Sequence, residues 1–159
     1  MNPNIDYSQT IITTLNQTTH CQLWCICPGG RNSPLIVALK NSLTLSFFNE
    51  ESAAFFALGR IKRNHHPVAV TTTSGTAVAQ LLPAVIEAYY TQLPLILITA
   101  DRPRKYRHTG APQTINQLNL FNQYAHCIDL DPQTPLSIQK WTQKMPLHLN
   151  ICFDEPLIT

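Results

Sequence analysis

Charged residues are scarce in this 159-residue chain, since Asp, Glu, Lys and Arg make up only 13% of it. An average soluble domain carries about twice that share. Either an uncharged polar surface replaces the missing charge, or other subunits or domains cover part of the surface. The net charge of +2 gives no overall basic field of the kind that binds nucleic acid.

Long apolar segments are also missing. No apolar run approaches the roughly 20 residues that a membrane-spanning helix needs. Residues 1–17 have neither the basic start nor the continuous apolar stretch of a signal peptide. We therefore expect a cytoplasmic protein that does not enter a membrane.

The cysteines do not form a recognisable motif. Their number, five, is odd, which argues against a disulfide framework. Cys21, Cys25 and Cys27 lack the C-x-x-C spacing of a zinc site. Because Cys25 and Cys27 lie in an apolar segment, we expect structural thiols and no metal site.

What the chain does have is an alternation of short apolar runs with longer helix-like segments, which is typical of a parallel α/β sheet. It predicts a single domain over residues 1–159, a three-layer sandwich with helices on both faces of a central, mostly parallel sheet of about six strands. The predicted strands are Leu23–Cys27, Leu43–Phe48, Val68–Thr72, Leu95–Thr99, Cys127–Leu130 and His148–Phe153.

The segments between the strands have helical periodicity. Thr76–Tyr90 is apolar nearly all round, and Pro83 is expected to kink it. The other predicted helices are Tyr7–Gln17, Ser33–Asn41, Glu50–Arg63, Thr114–Tyr124 and a short Ser137–Gln143.

Polar and glycine-rich segments follow four of the predicted strands. In an open α/β sheet, ligands bind at the carboxyl ends of the strands. Sequence-distant segments that meet at one edge therefore predict a binding site there. They are Pro28–Arg31, Asn49–Glu51, Thr73–Thr76 and Asp101–Pro103.

Within these segments the chemistry stays open from position alone. Glu50 either begins a helix, where the helix dipole favours a carboxylate, or serves a ligand. One of Glu50 and Glu51 is expected to face solvent. Thr73–Thr76 is a strand-to-helix turn whose hydroxyls could cap the helix and whose N–H groups could receive an anion or a polar ring edge.

Two arginines are expected at the same edge. A guanidinium group matches a carboxylate bidentately, so Arg31 and Arg102 suggest an acidic small-molecule substrate. A structural Asp101–Arg102 pair is the alternative. The charged loop Arg104–His108 is expected to be a solvated surface, and binding of an anionic effector or a partner domain is the other reading.

Taken together, the segments resemble one enzyme family, 2-succinyl-5-enolpyruvyl-6-hydroxy-3-cyclohexene-1-carboxylate synthase of menaquinone biosynthesis. The Glu50 and Thr-Ser-Gly blocks are shared with thiamine-diphosphate enzymes generally, whereas the Gly-Arg, Asp-Arg-Pro and Gly-Ala-x-Gln blocks are more specific. The similar blocks, in order, are Cys27–Leu35, Phe48–Gly59, Thr73–Ala77, Leu82–Ala88, Leu97–Pro103, Gly110–Gln117 and His148–Leu157.

The resemblance implies that the chain is the pyrimidine-binding domain of such a synthase. Glu50 matches the catalytic glutamate that hydrogen-bonds N1′ of the cofactor's aminopyrimidine ring and favours its imino tautomer. The family's turn at Thr73, Ser74 and Gly75 also binds the cofactor. Arg31, Arg102 and Gln113 match residues that face the substrates, 2-oxoglutarate and isochorismate, each of which carries two carboxylates.

The chain also departs from the family pattern. Gly30 stands where the family usually has Ser, Glu51 where it has Arg, and Pro112 where it often has Asn; the stretch 131–146 is shorter than the family's. The central domain is expected to be absent, as is the diphosphate-binding domain, whose Gly-Asp-Gly motif holds Mg²⁺ and has no match here. We therefore expect a homo-oligomer, at least a dimer, that needs the diphosphate-binding domain as a partner and is inactive alone.

Two other readings stay open. The chain could be a relic or regulatory module that keeps the fold and binds a partner or an acidic metabolite without turnover. It could also be the pyrimidine domain of another thiamine-diphosphate enzyme, although the Asp101-Arg102-Pro103 and Gln113 pattern counts against that.

Overall fold

A computed structural model describes residues 2–159 and contains a six-stranded sheet whose strands are all parallel. The strand order is β2-β1-β3-β4-β6-β5. The predicted α/β class and sheet are confirmed, with strand ends displaced by at most two residues. The strands are β1 Leu23–Ile26, β2 Leu43–Ser46, β3 Val68–Thr72, β4 Leu95–Asp101, β5 His126–Leu130 and β6 Leu147–Cys152.

Helices cover both faces of the sheet, as predicted. The α-helices are α1 Pro3–Thr19, α2 Ser33–Ala38, α3 Glu50–Asn64, α4 Thr76–Ala79 and α5 Leu82–Tyr90, and short 3₁₀-helices span Arg104–Tyr106 and Asn122–Tyr124. The helices α1 and α2 pack on one face, and α3 and α5 pack on the other. Across residues 2–159, none of the helices combines the length and the apolar character needed to cross a bilayer.

Each face of the sheet has its own hydrophobic core, because successive strand side chains point to opposite sides. Val70 faces the core beneath α3 and α5, whereas the neighbouring Ala69 faces the core beneath α1 and α2. Trp24 is the largest fully buried side chain on the α1 side. Burying a large apolar side chain contributes about 1.5–3 kcal/mol, so the two cores together fix the positions of the strand ends.

The start of α3 is defined by its capping residue. Asn49 has an extended backbone, and its side-chain oxygen accepts a hydrogen bond from the Ser52 N–H at 2.8 Å. This bond satisfies one of the free N–H groups at the helix start. As predicted, Glu50 is therefore the first residue of the helix, and Glu51 is the more exposed of the two acids.

The predicted helix Thr76–Tyr90 is in fact two helices. The break falls at Gln80 and Leu81, between α4 and α5. Pro83 has no N–H to donate to the carbonyl of Ala79, four residues earlier, so the hydrogen-bond ladder is interrupted there. The predicted kink at Pro83 is thus a complete break in the helix.

Two helix predictions are wrong. Thr114–Tyr124 is mostly irregular and ends in a 3₁₀ turn, because the side chain of Gln117 is buried and hydrogen-bonds three other chain segments. Ser137–Gln143 is also irregular. There, Trp141 is buried and donates its indole N–H to the Met145 carbonyl at 2.6 Å, which fixes a tight turn instead of a helix.

The strand β2 does not fit the expectation of burial on both faces. It ends at Ser46, two residues before the predicted end, and its side chains are partly or fully exposed. The reason is its place at the edge of the sheet, where it pairs with β1 alone. Leu43 and Leu45 are therefore exposed apolar residues.

Candidate functional site

Four of the predicted site segments meet at the carboxyl edge of the sheet. Gly29 follows β1, Glu50 follows β2, Thr73 follows β3 and Arg102 follows β4. The strands β2, β1, β3 and β4 are consecutive neighbours in the sheet, so these segments form a continuous rim. The convergence expected from the sequence is therefore present.

Glu50 lies against the end of the neighbouring strands. Its Oε1 accepts a hydrogen bond from the Thr72 hydroxyl at 3.0 Å, and the carboxylate is partly buried. Within residues 2–159, Thr72 is the hydrogen-bond donor to this carboxylate. One oxygen is thus held by the protein, and Oε2 is left to bind a further group.

The thiol of Cys27 lies near Glu50. Burial, together with the negative charge of Glu50, raises the pKa of Cys27 to about 12. The thiol is therefore neutral at physiological pH and adds no second charge beside Glu50. This agrees with the expectation of structural thiols, and burial likewise raises the pKa of Cys25 and Cys21 to about 12.

The loop after β1 packs directly on the turn after β3. A Cβ atom on Gly29 would lie 2.5 Å from the Cβ of Thr73, which only glycine avoids. Asn32 is fully buried and fixes this loop, because it accepts a hydrogen bond from the Gly29 N–H at 2.9 Å and donates to the Cys27 carbonyl at 3.1 Å. The sequence-based reasoning missed the role of Asn32, although it stands inside the Gly-Arg block.

The turn Thr73–Gly75 is joined to Gln113. The Gln113 amide donates to the Thr73 hydroxyl at 3.3 Å and to the Ser74 carbonyl at 3.0 Å. In return, the Ser74 hydroxyl donates to the Gln113 carbonyl at 2.9 Å. The four residues predicted to bind cofactor and substrate at Thr73, Ser74, Gly75 and Gln113 therefore form one contiguous unit.

One expectation about this turn is wrong, and a second is narrowed. The Ser74 hydroxyl is used by Gln113, and the residue that caps α4 is Gly75, so the hydroxyls do not cap the helix. The Gly75 N–H points inward and donates to the Gln117 side-chain oxygen at 2.9 Å. That N–H is therefore not a donor for an anion or a ring edge.

Arg102 projects from the end of β4 toward the same unit. Its Nε donates to the Pro112 carbonyl at 2.9 Å, next to Gln113. The alternative Asp101–Arg102 ion pair is wrong, because the Asp101 carboxylate accepts the backbone N–H of Arg102 and pairs with the guanidinium of Arg107. The Arg102 side chain is bound through a single carbonyl and keeps further N–H groups for a ligand.

Arg31 stands apart from this unit. Its guanidinium group forms an ion pair with the Glu155 carboxylate at 3.1 Å and donates to the Phe153 carbonyl at 3.2 Å. The Arg31 side chain is only 9% exposed, whereas that of Glu155 is 65% exposed. In this arrangement a carboxylate of the chain itself occupies the group that was predicted to bind a substrate carboxylate.

Comparison with known proteins identifies the family. Residues 5–120 match the family described as thiamine pyrophosphate enzyme, N-terminal TPP binding domain. That match covers well over half of the chain. The chain belongs to this family.

The most similar curated relatives include three synthases of one kind, each named 2-succinyl-5-enolpyruvyl-6-hydroxy-3-cyclohexene-1-carboxylate synthase. The protein of Bdellovibrio bacteriovorus is 48% identical over 98% of this chain, that of Akkermansia muciniphila 50% over 84%, and that of Synechocystis sp. 42% over 99%. These matches cover 30%, 26% and 29% of the relatives. The chain therefore spans between a quarter and a third of their length.

In this TPP binding domain the basic loop Arg104–His108 is not simply a solvated surface. Arg104 contacts Asp129 at 2.8 Å and also pairs with Asp131. Lys105 contacts Asp154 at 2.9 Å. The loop is thus attached by ion pairs to β5 itself and to the segments that follow β5 and β6.

Arg107 is the best-buried cation of that loop. It contacts Asp129 at 2.7 Å and Asp101 at 3.5 Å. Burial raises the pKa of Asp129, but hydrogen bonds from Arg107, Asn150 and Arg104 hold that pKa below its ordinary value. Asp129 therefore stays ionised and anchors the loop to β5.

Polar residues in the middle of β6 were also missed. His148 and Asn150 are fully buried, although they lie in an otherwise apolar strand. The sequence carries a signal for them. Two polar side chains two residues apart in a buried strand lie on the same face of the sheet, and each needs a buried hydrogen-bond partner there. Among residues 2–159, no three His, Cys, Asp or Glu side chains are grouped so as to hold a metal ion.

Proposed function

We propose that residues 1–159 are the pyrimidine-binding domain of a thiamine-diphosphate-dependent synthase that decarboxylates 2-oxoglutarate and adds the resulting succinyl unit to isochorismate. The relatives named as this synthase support the proposal, as does membership of the TPP binding family. The structural observation that carries it is the Glu50 carboxylate, held through one oxygen by Thr72 at the carboxyl edge of the sheet.

The fit of the cofactor rests on the Glu50 carboxylate. A carboxylate whose second oxygen is left for a ligand can accept a hydrogen bond from, or share a proton with, a ring nitrogen. Thiamine diphosphate, when bound, supplies the carbon nucleophile and the electron sink of the reaction. The chain's own task is to hold the aminopyrimidine half, with Glu50 at N1′ and the turn Thr73–Gly75 beside it.

In this proposal Glu50 holds a proton at N1′. The buried face of α3, the helix that Glu50 begins, includes Ala53 and Ala54 and limits the access of water to that side of the carboxylate. A carboxylate in such surroundings exchanges a proton with a partner of matched pKa more effectively than one in bulk water. Glu51, one residue on, is exposed and has no part in this step.

The substrate side is assigned to Arg102 and Gln113, which lie together, and to Arg31. The guanidinium groups would bind substrate carboxylates, and the Gln113 amide would orient the second substrate. For Arg31 this requires that a substrate carboxylate replace Glu155, whose side chain is mostly exposed.

The remaining parts of the reaction belong to a partner. We propose that a diphosphate-binding domain of the same enzyme holds Mg²⁺ and the diphosphate, that the protein works in the cytoplasm, and that the active unit is a homo-oligomer. The exposed aromatic residues Phe48, Phe55 and Phe56, on and just before α3 near Glu50, support coverage of this surface by such a partner.

The test supplies the missing region in trans. The chain is mixed with the remaining C-terminal part of the Bdellovibrio bacteriovorus relative, thiamine diphosphate and Mg²⁺, and succinyl transfer to isochorismate is measured. We expect turnover that requires both parts. Glu50→Gln should lower kcat by at least about 100-fold, because the proton site is lost, whereas Glu51→Gln serves as the matched control and should stay within about twofold of the wild type.

Two outcomes would contradict the proposal. An equal loss of kcat in Glu50→Gln and Glu51→Gln would show that Glu50 has no special catalytic role. Absence of turnover with both parts folded and associated would favour the second candidate, a non-catalytic module of the same fold. The observation that favours that candidate is the Arg31–Glu155 ion pair, in which a carboxylate of the chain itself contacts Nη1 of Arg31.

A further inference from the structure

Gln117 is a buried polar residue that hydrogen-bonds to the turn after β3 and to the strands β4 and β6. It is only 1% exposed. Its Oε1 accepts the hydrogen bond of the Gly75 N–H at 2.9 Å, and its Nε2 donates to the Ala100 carbonyl at 3.2 Å and to Asn150 Oδ1 at 2.7 Å. A primary amide has two N–H groups, so both of those of Gln117 are used.

The orientation of this amide follows from the charges behind it. Asn150 donates its two N–H groups to Asp101 at 3.0 Å and to Asp129 at 3.1 Å. Because ionised carboxylates only accept, the Asn150 oxygen must point the other way, toward Gln117. Gln117 therefore presents its N–H₂ to Asn150 and its oxygen to Gly75.

Arg107 supports this orientation of the two amide groups. It forms ion pairs with both Asp129 and Asp101, so its guanidinium group lies beside the two carboxylates that accept the Asn150 N–H groups. A continuous series of hydrogen bonds thus runs from the two carboxylates through Asn150 and Gln117 to the Gly75 N–H. Fully satisfied buried networks of this kind favour a single conformation.

Gly75 is the point at which the turn needs such support. Its φ of 84° and ψ of −144° lie in a region that suits glycine. A Cβ atom there would lie 2.8 Å from the Gln113 Cγ. The Gly75 N–H is therefore the inner anchor of the turn Thr73–Gly75, and Gln113 packs on its outer side.

We propose that Gln117 is a positioning residue that sets the conformation of the turn Thr73–Gly75 and, through it, the place of Gln113. The inference rests on the proposed function, in which this turn contacts the cofactor and Gln113 faces a substrate. Gln117 itself is buried and acts through the Gly75 N–H, so it is not a catalytic residue.

The first measurement is amide hydrogen exchange in the 159-residue chain. Gln117→Met keeps the length of the side chain but leaves the Gly75 N–H, the Ala100 carbonyl and Asn150 without this partner. Loss of one net hydrogen bond predicts exchange at Gly75 that is about tenfold faster, whereas exchange at Val70, in the middle of β3, should change less than about twofold. Gln123→Met, at an exposed glutamine, is the matched control.

A milder variant guards against unfolding. Gln117→Asn keeps the amide but is one methylene shorter, so it cannot span all three partners. If Gln117→Met fails to fold, Gln117→Asn should still show faster exchange at Gly75 than at Val70. Unchanged exchange at Gly75 in either folded variant would overturn the proposal, as would a uniform increase at both positions.

The second measurement separates positioning from mere stabilisation. In the two-part mixture described above, Gln117→Met should raise the half-saturating concentration of thiamine diphosphate about tenfold relative to Gln123→Met. Faster exchange with an unchanged cofactor requirement would leave only a structural role and overturn the proposal. If the wild-type mixture shows no turnover, the proposed function fails, and the exchange ratio at Gly75 still decides whether Gln117 sets the turn.

Discussion

Gly29 and Gly30 are adjacent glycines with very different surroundings. A Cβ on Gly29 would meet the Thr73 side chain at 2.5 Å, whereas one on Gly30 would meet nothing within 4 Å. Thr73 belongs to the turn that we assign to the cofactor, so the missing side chain of Gly29 lets two segments of the site approach. The departure from the family at Gly30, where Ser is usual, is therefore sterically harmless.

This contrast gives a direct prediction. Gly29→Ala forces the Thr73 turn outward, and overpacking of this kind should lower the free energy of unfolding by about 1–3 kcal/mol. Gly30→Ala should change it by less than about 0.5 kcal/mol. Urea unfolding of the two variants measures both values, and equal values would show that the Gly29–Thr73 contact does not constrain the loop.

The ion pair between Arg31 and Glu155 also belongs to the scale of single residues. Glu155 lies in the segment after β6, so the end of the domain reaches back to the loop after β1. An exposed carboxylate is a weak partner for a guanidinium group. In the proposed function, a substrate carboxylate that accepts two parallel hydrogen bonds from Arg31 would displace it.

Among the elements, β6 combines a buried neutral histidine with a polar centre. Burial lowers the pKa of His148 to about 3, against an ordinary 6.5. The Thr99 hydroxyl lies 2.7 Å from Nε2 and also donates to Asn150 Oδ1. Because that hydroxyl has one proton, it accepts from Nε2–H, and Nδ1 is left to accept from the Cys127 thiol at 3.4 Å.

The lowered pKa predicts the acid sensitivity of the fold. Between pH 6.5 and about 3 the unfolded chain binds a proton at His148 and the folded chain does not. The free energy of unfolding should therefore fall as the pH drops below 6.5, by up to about 1.4 kcal/mol per pH unit. The lowered pKa values of Asp129 and Asp131 add a second loss, which begins near their ordinary value of 3.8 and continues below it.

Histidine variants test this slope. His148→Gln keeps a donor for Thr99 but does not titrate, so its unfolding free energy should vary less between pH 6.5 and 4.5 than that of the wild type. His66→Gln, at an exposed histidine, should keep the wild-type slope. Urea unfolding at several pH values gives the comparison, and parallel curves for the wild type and His148→Gln would contradict the assignment.

The same elements show what the sequence could and could not predict. The strands were predictable because apolar runs between turn residues are buried wherever the sheet is covered. Thr114–Tyr124 was mistaken for a helix because Ile115, Leu118 and Phe121 recur at helical spacing, yet only Phe121 is buried. Its conformation depends on Gln117, whose three partners come from segments far away in the sequence.

The candidate site divides in the same way. Its place followed from the rule that binding residues gather at the carboxyl edge, and Glu50, Thr73 and Gln113 are indeed neighbours along that edge. The pairing of Arg31 with Glu155 could not be predicted, since it depends on how the chain returns after β6. The pairing of Arg107 with Asp129 likewise depends on where β5 lies in the sheet. Local patterns indicate the edge, and long-range contacts decide which side chains are free.

On the scale of the whole molecule, the surface near Glu50 is unusually apolar. Phe48 is fully exposed, and Phe55 and Phe56 on α3 are also exposed. Together with the charged share of 13%, this supports the proposal that a partner domain covers this surface. The chain spans about 30% of its Bdellovibrio bacteriovorus relative, so a large remainder is available in that protein to do so.

Serine substitutions on this surface test the coverage. Phe48→Ser removes no buried contact, so the free energy of unfolding should change by less than about 0.5 kcal/mol. The affinity of the Phe48→Ser chain for the remaining part of the Bdellovibrio relative is measured by sedimentation velocity. It should fall about tenfold, because an aromatic side chain buried in an interface contributes more than about 1 kcal/mol to binding. Ile158→Ser, at an exposed residue near the end of the chain, is the control. Equal affinities of the two variants would mean that the partner does not cover the surface beside Glu50, and the site would then have to be completed from another direction.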